Sequence, residues 1–522
     1  MIIKKNEQMI EKLIRTLKNL KEKQLIVLLL GIAFGLRLYA VLMAKGIAMD
    51  SAGYGFMARD FLKGDFAQGL SWALHPLYPL LISLIAPDST HVEIAGRLIS
   101  LLWGTFTLIP LYYLVKGAIG QKEAAFTALF YTFHPYLVTY SGMLLSEATY
   151  WGLLVLSVYF FWTGLKRENV WRMALSGSFL GLAYLTRPEG IGYVLVYLGW
   201  IVVKGVLKKK WLKKFVLMGV LILSLFMFVI PYVIRIHQET GQWLISRKAV
   251  GVQAQFSKKG VDEADSSKGV EQEKPGESNS TILVTTKNVV QHLPFVIYRY
   301  LMAYHFSLWL FLLFGLIRVR QKIIPYELFI ASLVLFHLLS LSTFTPSFLR
   351  FSVPVIPLAL FWAGAGVFEI KRRLGKFSTL RPEEGVFWLI VLALLIQLPQ
   401  SFMPERSHRA YQKEMGLWLK KNTTKNAIIM SNSPIEAFYA DREFIPLPSG
   451  IPTAEGPGKS YEEIINYAKQ RGVLFILINQ NTHEPNPDFI PSIKGPDLEE
   501  FYRYQKDERH FIIIYEVIYR NF

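Results

Sequence analysis

Two short stretches concentrate side chains able to do chemistry: Ala48-Met49-Asp50-Ser51-Ala52-Gly53-Tyr54 and Leu74-His75-Pro76-Leu77-Tyr78-Pro79. A carboxylate such as Asp50 can take a proton from an acceptor hydroxyl or amine as a general base. An imidazole such as His75 can hold an anionic leaving group by donating a hydrogen bond or by carrying charge. Plainer readings stand beside these: Asp is a preferred N-cap, and a lone His is commonly a satisfied polar side chain. Three later motifs add to the set: Ser146-Glu147, Leu185-Thr186-Arg187-Pro188-Glu189-Gly190 and Phe348-Leu349-Arg350-Phe351-Ser352-Val353-Pro354. Glu147 opens an apolar segment, and a charge at mid-bilayer costs about 2.5–3.5 kcal/mol, less near the edge, so it should have a partner or a solvated cavity. Either Arg could simply snorkel to lipid headgroups.

The elements that must position these groups are membrane spans. The chain of 522 residues is 52% hydrophobic and 14% aromatic with 18% charged residues, a composition of a polytopic membrane protein. Leu25 to Met43 is apolar apart from Arg37 and Tyr39, long enough at 1.5 Å per residue to cross hydrocarbon. Further apolar runs at 92–115, 123–139, 143–164, 173–187, 190–203, 215–234, 295–317, 324–344, 351–370 and 386–402 bring the expected number of transmembrane helices to about 11. Basic clusters fall on alternate loops, which the positive-inside rule makes cytoplasmic. The other loops, 45–91, 140–146, 187–190, 235–294, 345–350 and everything after 402, are then external. Asp50, His75, Glu147, Arg187, Glu189 and Arg350 all fall on that face, and one shared cavity accounts for them more economically than separate coincidences.

The formal charge of +18 is spent on these loop clusters, so nucleic acid is not an expected partner. Residues 1–24 are lysine-rich and read as a cytoplasmic amphipathic segment lying on anionic lipid before an uncleaved first span. The helix expected from Ser51 to Leu62 would rest Phe56, Met57 and Phe61 on the lipid boundary. Residues 235–294 form an external, partly disordered loop by composition. After residue 402 helical stretches (411–421, 461–471) alternate with β-branched runs (427–431, 473–479, 511–517), the pattern of a small external α/β domain over 403–522. No glycine-rich phosphate loop occurs at its strand-to-helix junctions. There is no cysteine, which excludes disulfides, thiolate metal sites and cysteine nucleophiles. The spacings Gly31-x-x-x-Gly35 and Gly177-x-x-x-Gly181 permit close helix packing.

The ordered set of motifs resembles the C-type membrane glycosyltransferases that use polyprenyl-phosphate-linked sugars, among them the protein O-mannosyltransferases and the lipid A aminoarabinose transferase. The resemblance rests on Asp50 in the first external loop, His75-Pro76-Leu77-Tyr78 before the next span, Gly96-Arg97 at its start, Ser146-Glu147, Leu185-Thr186-Arg187-Pro188-Glu189-Gly190, and Arg350-Phe351 with Pro354 late in the chain. It implies a C-type fold with Asp50 and Glu147 catalytic, and His75, Arg187 and Arg350 around the donor phosphate. Tyr54, Tyr78, Arg97 and Glu189 would line the substrate cavity. Ser51 stands where the protein O-mannosyltransferases carry Glu, which departs from the pattern of a protein acceptor. Metal dependence varies within the family; no Asp-x-Asp lies near Asp50, so neither a bridging divalent ion nor any cofactor is expected.

The resulting expectation is an inverting glycosyltransferase at the outer face of the cytoplasmic membrane, with Asp50 as general base. It would move a sugar from a polyprenyl-phosphate donor lipid to a glycan, lipid or protein acceptor. A monomer surrounded by membrane lipids is the expected working unit. A lipid-linked sugar transporter or flippase is the alternative, and a scaffold acting through its external domain a third; inverted repeats with paired broken helices would mark a transporter, and none is evident.

Overall fold

In the computed structural model the described residues are 20–208, 211–247, 277–318, 324–343, 349–377, 382–403, 409–447, 461–480, 496–507 and 510–519. Most of the expected segment 1–24 and the centre of the 235–294 loop lie outside them. Contacts divide the chain into two units: Met1–Leu42, Trp72–Tyr78 and Arg97–Met403 form the first; Met43–Ser71, Pro79–Gly96 and Pro404–Phe522 form the second.

The first unit is helical. Among the described residues eight helices are long and apolar enough to cross a membrane, from Glu22–Met43 to Pro382–Phe402, and a ninth crossing would be Val289–Tyr304 with Phe306–Ile317, bent by 79°. The bend is made at His305, whose φ of 67° lies in the left-handed region, sparsely used by residues other than glycine. Two of the runs expected to span are not among these helices. The run 123–139 is not one helix but Gln121–Phe133 followed by Pro135–Ser141, because a proline ring and its missing N–H break the ladder. The run 173–187 forms the helix Val170–Thr186 of 17 residues, at the lower bound for a span.

The break at Pro135 leaves helix carbonyls without partners, and Arg37 supplies them. Its Nη1 donates to Ala33 O at 3.2 Å and Thr132 O at 3.4 Å, and its Nη2 to Tyr131 O at 3.4 Å. The guanidinium also lies 5.1 Å from the Tyr131 ring centre, and the side chain is fully buried. The one charge in the first apolar span thus turns its two Nη groups to backbone rather than to lipid headgroups.

The two glycine pairs separate. Gly177 and Gly181 lie against the helix Trp211–Thr240: a Cβ on Gly181 would meet Leu225 O and Phe228 Cβ at 2.9 Å, the close approach that small residues allow. At Gly31 and Gly35 a Cβ would meet nothing within 4 Å, so no described helix makes the same close approach there.

The second unit holds a mixed sheet of five strands among the described residues, β1 (Ile428–Ser431), β2 (Glu443–Pro446), β3 (Phe475–Gln480), β4 (Leu498–Asp507) and β5 (His510–Val517), in the order β2-β1-β3-β5-β4. β1 pairs parallel with β2 and β3; β5 runs antiparallel to β3 and β4, with Ile476 opposite Tyr515 and Ile478 opposite Ile513. Met430, Ile476, Ile478, Ile513 and Tyr515 pack with Ile464, Ile465 and Ala468 of the helix Tyr461–Gln470. The strands not anticipated, β2 and β4, are the two edges, one short and one rich in charge, as exposed edges commonly are.

The first-loop helix Met49–Leu62 belongs to this second unit. Phe56, Met57 and Phe61 are buried, which corrects the expectation of a lipid contact. Phe56 stacks on Phe444 at 5.8 Å and meets Phe438 edge-on at 6.0 Å, so protein covers the apolar face. Gly55 is required here, because a Cβ would collide with the Phe438 ring. Arg59 donates to Phe438 O at 2.9 Å and lies 3.5 Å from Asp441. Lys413 and Tyr439 both reach Glu93, at 3.4 and 3.2 Å.

Candidate active site

Glu147 is the first residue of the helix Glu147–Arg167, where the helix dipole favours a negative charge. The turn before it is tied down from the His75-to-Arg97 region. Ser100 donates its hydroxyl hydrogen to Leu145 O at 3.0 Å, so Tyr78 must be the donor in its 2.9 Å bond to Ser100 Oγ. Arg97 donates to Gly142 O at 3.3 Å. Tyr78 and Arg97, both expected to line the cavity, are buried, and these bonds fix the turn that presents Glu147.

Arg187 ends the helix Val170–Thr186 in an extended conformation and precedes a 3-10 turn, Pro188–Gly192. The Arg-Pro-Glu-Gly order explains that geometry. Proline has no N–H to continue the α-helix, and a Cβ at Gly190 would meet Tyr184 N at 2.6 Å. Arg187 Nη1 donates to Glu147 Oε1 at 3.0 Å, and its Nη2 to Glu189 Oε1 at 3.3 Å. Arg350 Nε lies 4.0 Å from the same Glu147 oxygen. Side-chain exposure runs 2% for Glu147, 9% for Arg187, 19% for Arg350 and 23% for Glu189, so the cluster grades from buried to partly open. Glu147 Oε2 is buried with no hydrogen-bond partner among the described residues.

Phe351 lies against both arginines, its ring centre 5.1 Å from the Arg187 guanidinium and 4.9 Å from that of Arg350. Its carbonyl accepts from His337 Nε2 at 2.8 Å, which makes Nε2 the protonated nitrogen, so Nδ1 accepts from Tyr193 OH at 2.8 Å. Sequence reading missed this Tyr193–His337–Phe351 support. The available signal was one histidine inside the apolar helix Ile324–Ser342, since ionisable residues within spans are rare.

His75 occupies a neighbouring aromatic setting. Its Nε2 is 3.2 Å from Ser246 Oγ, and its ring lies 5.2 Å from both Tyr184 and Tyr232. Tyr184 donates to Ile245 O at 2.7 Å and stands three residues before Arg187, so one helix serves both the His75 and the Glu147 settings. Asp50 and Tyr54 lie in the second unit, on the helix Met49–Leu62. That helix begins at Met49 rather than Ser51, with Ala48 as its N-cap. Ser51 Oγ accepts from Ala48 N–H at 3.2 Å, half of a capping box. Asp50 is therefore a first-turn acid and not the cap. Among the described residues no group of three or more His, Cys, Asp or Glu side chains is arranged to hold a metal ion.

Residues 75–234 match the family model described as dolichyl-phosphate-mannose-protein mannosyltransferase. No curated protein matches the chain in sequence. Among solved structures, ArnT from Cupriavidus metallidurans in the apo state is similar over 94% of this chain and 97% of its own, with TM-score 0.61 at 13% identity. The same protein bound to undecaprenyl phosphate gives TM-score 0.60 at 12% identity over the same shares. The Archaeoglobus fulgidus oligosaccharyltransferase in the apo form covers 89% of this chain and 70% of its own, with TM-score 0.52 at 12% identity. Residues 75–234 are thus similar to the dolichyl-phosphate-mannose-protein mannosyltransferase family model, and over 94% of the chain the fold is similar to that of ArnT.

Proposed function

We propose that this protein transfers a sugar from a polyprenyl-phosphate-linked donor to an acceptor at the outer face of the cytoplasmic membrane, with inversion at the anomeric carbon. The observation that carries the reading is the convergence of Glu147, Arg187, Glu189 and Arg350, from three separate chain segments, at one end of a membrane helix. Two guanidiniums balanced by two carboxylates form a neutral resting cluster. An incoming phosphate can exchange for a carboxylate partner, and planar guanidiniums suit phosphate oxygens. Glu147 holds Arg187 in place while the more exposed Arg350 meets the ligand.

In the reaction the acceptor loses its proton to Asp50 and its heteroatom bonds the anomeric carbon as the carbon–oxygen bond to phosphate breaks. The electron pair leaves with polyprenyl phosphate, whose charge Arg350, Arg187 and His75 stabilise. Asp50 is assigned the proton on its place in the motif order, and its first-turn position releases it from capping. The resemblance between ArnT bound to undecaprenyl phosphate and this chain supports the donor class.

The test uses full-length protein with polyprenyl-phosphate sugars and mass spectrometry of the products. Arg350→Ala should weaken binding of polyprenyl phosphate, and Asp50→Asn should abolish transfer while binding persists. Wild-type transfer by a folded Asp50→Asn protein would remove the assigned base; undiminished lipid-phosphate binding by Arg350→Ala would remove the phosphate site.

A further inference from the structure

A second polar site lies at the other end of the helix that begins with Glu147. A cavity of about 210 Å³ is lined by Trp162, Lys166, Lys204, Lys214, Tyr326 and adjoining apolar atoms, several times the ~30 Å³ that one liquid water occupies. Its polar lining is nearly all donors. Each ammonium offers three N–H groups and no acceptor, and an indole N–H can only donate. The Trp162 Nε1 and Tyr326 hydroxyl are buried and have no hydrogen-bond partner among the described residues. Tyr326 is 2% exposed, and leaving such groups unsatisfied is costly. Glu168 pairs with Lys214 at 2.8 Å, Lys166 donates to Gly117 O at 3.5 Å, and Lys204 completes the three ammoniums of the lining. Lysine ammoniums beside two buried donors without acceptors, Trp162 Nε1 and the Tyr326 hydroxyl, are complementary to one class of ligand, an oxyanion.

The location selects which oxyanion. Lys166 follows Glu147 by 19 residues on the helix Glu147–Arg167, roughly 28 Å at helical rise, close to the thickness of the hydrocarbon. The cavity is thus at the opposite membrane face from the Glu147 cluster. Lys204 lies near the end of Tyr193–Lys208, Lys214 at the start of Trp211–Thr240, and Tyr326 at the start of Ile324–Ser342. The basic loops assign that face to the cytoplasm, where anionic lipids are held by basic pockets between helices. Trp162 and Tyr326, their rings 5.2 Å apart and edge-to-face, are side chains suited to the headgroup depth.

We propose that this cavity binds the phosphate of an anionic phospholipid from the cytoplasmic leaflet. Lys166 and Lys204 supply charge from the rim, Lys214 is positioned by Glu168, and Trp162 and Tyr326 donate from the wall. The site is independent of the sugar-transfer reading.

Full-length protein is purified with an equimolar mixture of phosphatidylglycerol, cardiolipin and phosphatidylcholine, and retained lipid is read by native mass spectrometry. Phosphatidylglycerol or cardiolipin should be retained over phosphatidylcholine by roughly tenfold, the size of a lost hydrogen bond to a charged group. The double variant Lys166→Gln/Lys204→Gln should lose that preference. Tyr326→Phe, which removes a single oxygen and keeps the ring contact, should reduce it without unfolding. Equal retention of all three lipids, or wild-type preference in both variants, overturns the proposal. Displacement of the lipid by inorganic phosphate at equal concentration would identify a soluble phosphate site and overturn the lipid assignment.

Discussion

Proline interrupts the helical unit at two places where an arginine takes part, and the two arginines are satisfied in opposite ways. At His134–Pro135 Arg37 donates to three carbonyl oxygens. At Arg187–Pro188 the arginine bonds carboxylates, Glu147 and Glu189. Backbone carbonyls cannot leave, so Arg37 is locked into the fold. Carboxylate side chains can be exchanged for another anion, so Arg187 retains a charge that a ligand can claim. The partner type, more than the burial, separates an arginine locked into the fold from one whose partners can be exchanged.

The strongest way to break this distinction is Glu147→Gln. It removes the charge that both arginines approach and should lower the rate of sugar transfer by about 10²–10³-fold, the range seen when a preorganised electrostatic group is lost. Transfer at the wild-type rate would reduce Arg187 to the status of Arg37. Arg37→Met should act the other way, costing about 2–5 kcal/mol of stability by orphaning buried carbonyls. Thermal unfolding in detergent measures the loss, and the folded fraction should keep its specific activity.

Gly181→Leu should cost about 1–3 kcal/mol by overpacking against Leu225 and Phe228. Gly31→Leu, with open space around it, should change the midpoint little; equal losses would mean that a neighbour packs closely on the Gly31 face of the first span. The smallest effect extends the comparison to a buried carboxylate with no described arginine partner. Glu436 accepts from Gln412 Nε2 at 3.0 Å and from Asn479 Nδ2, and burial raises its pKa above the ordinary carboxyl value. Because the folded pKa is raised, its stabilising contribution is full below the ordinary carboxyl value and is lost as pH rises through the raised one. Glu436→Gln should keep the amide contacts and flatten the pH dependence of unfolding between mildly acidic and neutral conditions.

Much of the candidate site was legible because it is made of charges in apolar surroundings. Glu147, Arg187 and Arg350 each stood out as expensive, and expense implies a partner. Their convergence followed from counting faces rather than from any one motif. What was not legible has physical reasons. An apolar stripe such as Phe56-Met57-Phe61 reads the same whether lipid or protein covers it, and here Phe438 and Phe444, far along the chain, cover Phe56. The Gly-x-x-x-Gly spacing states that a close approach is permitted, not that a helix takes it, so Gly177 and Gly31 looked alike. Pro135 was visible within the run 123–139, and counting hydrophobic residues outweighed the missing N–H. Edge strands β2 and β4 lack the β-branched runs that marked β1, β3 and β5.

The pairing of Arg59 with the Phe438 carbonyl spans 379 residues. At synthesis rates of about 5–20 residues per second, the first-loop helix waits roughly 20–75 s for its partner to be made. During that interval the membrane helices of the first unit are being laid down one after another, while Phe56, Met57 and Phe61 have not yet received the protein that will bury them. The first-loop helix that carries Asp50 thus receives its described partners, Phe438, Asp441 and Phe444, only after the membrane helices between them in sequence have been made.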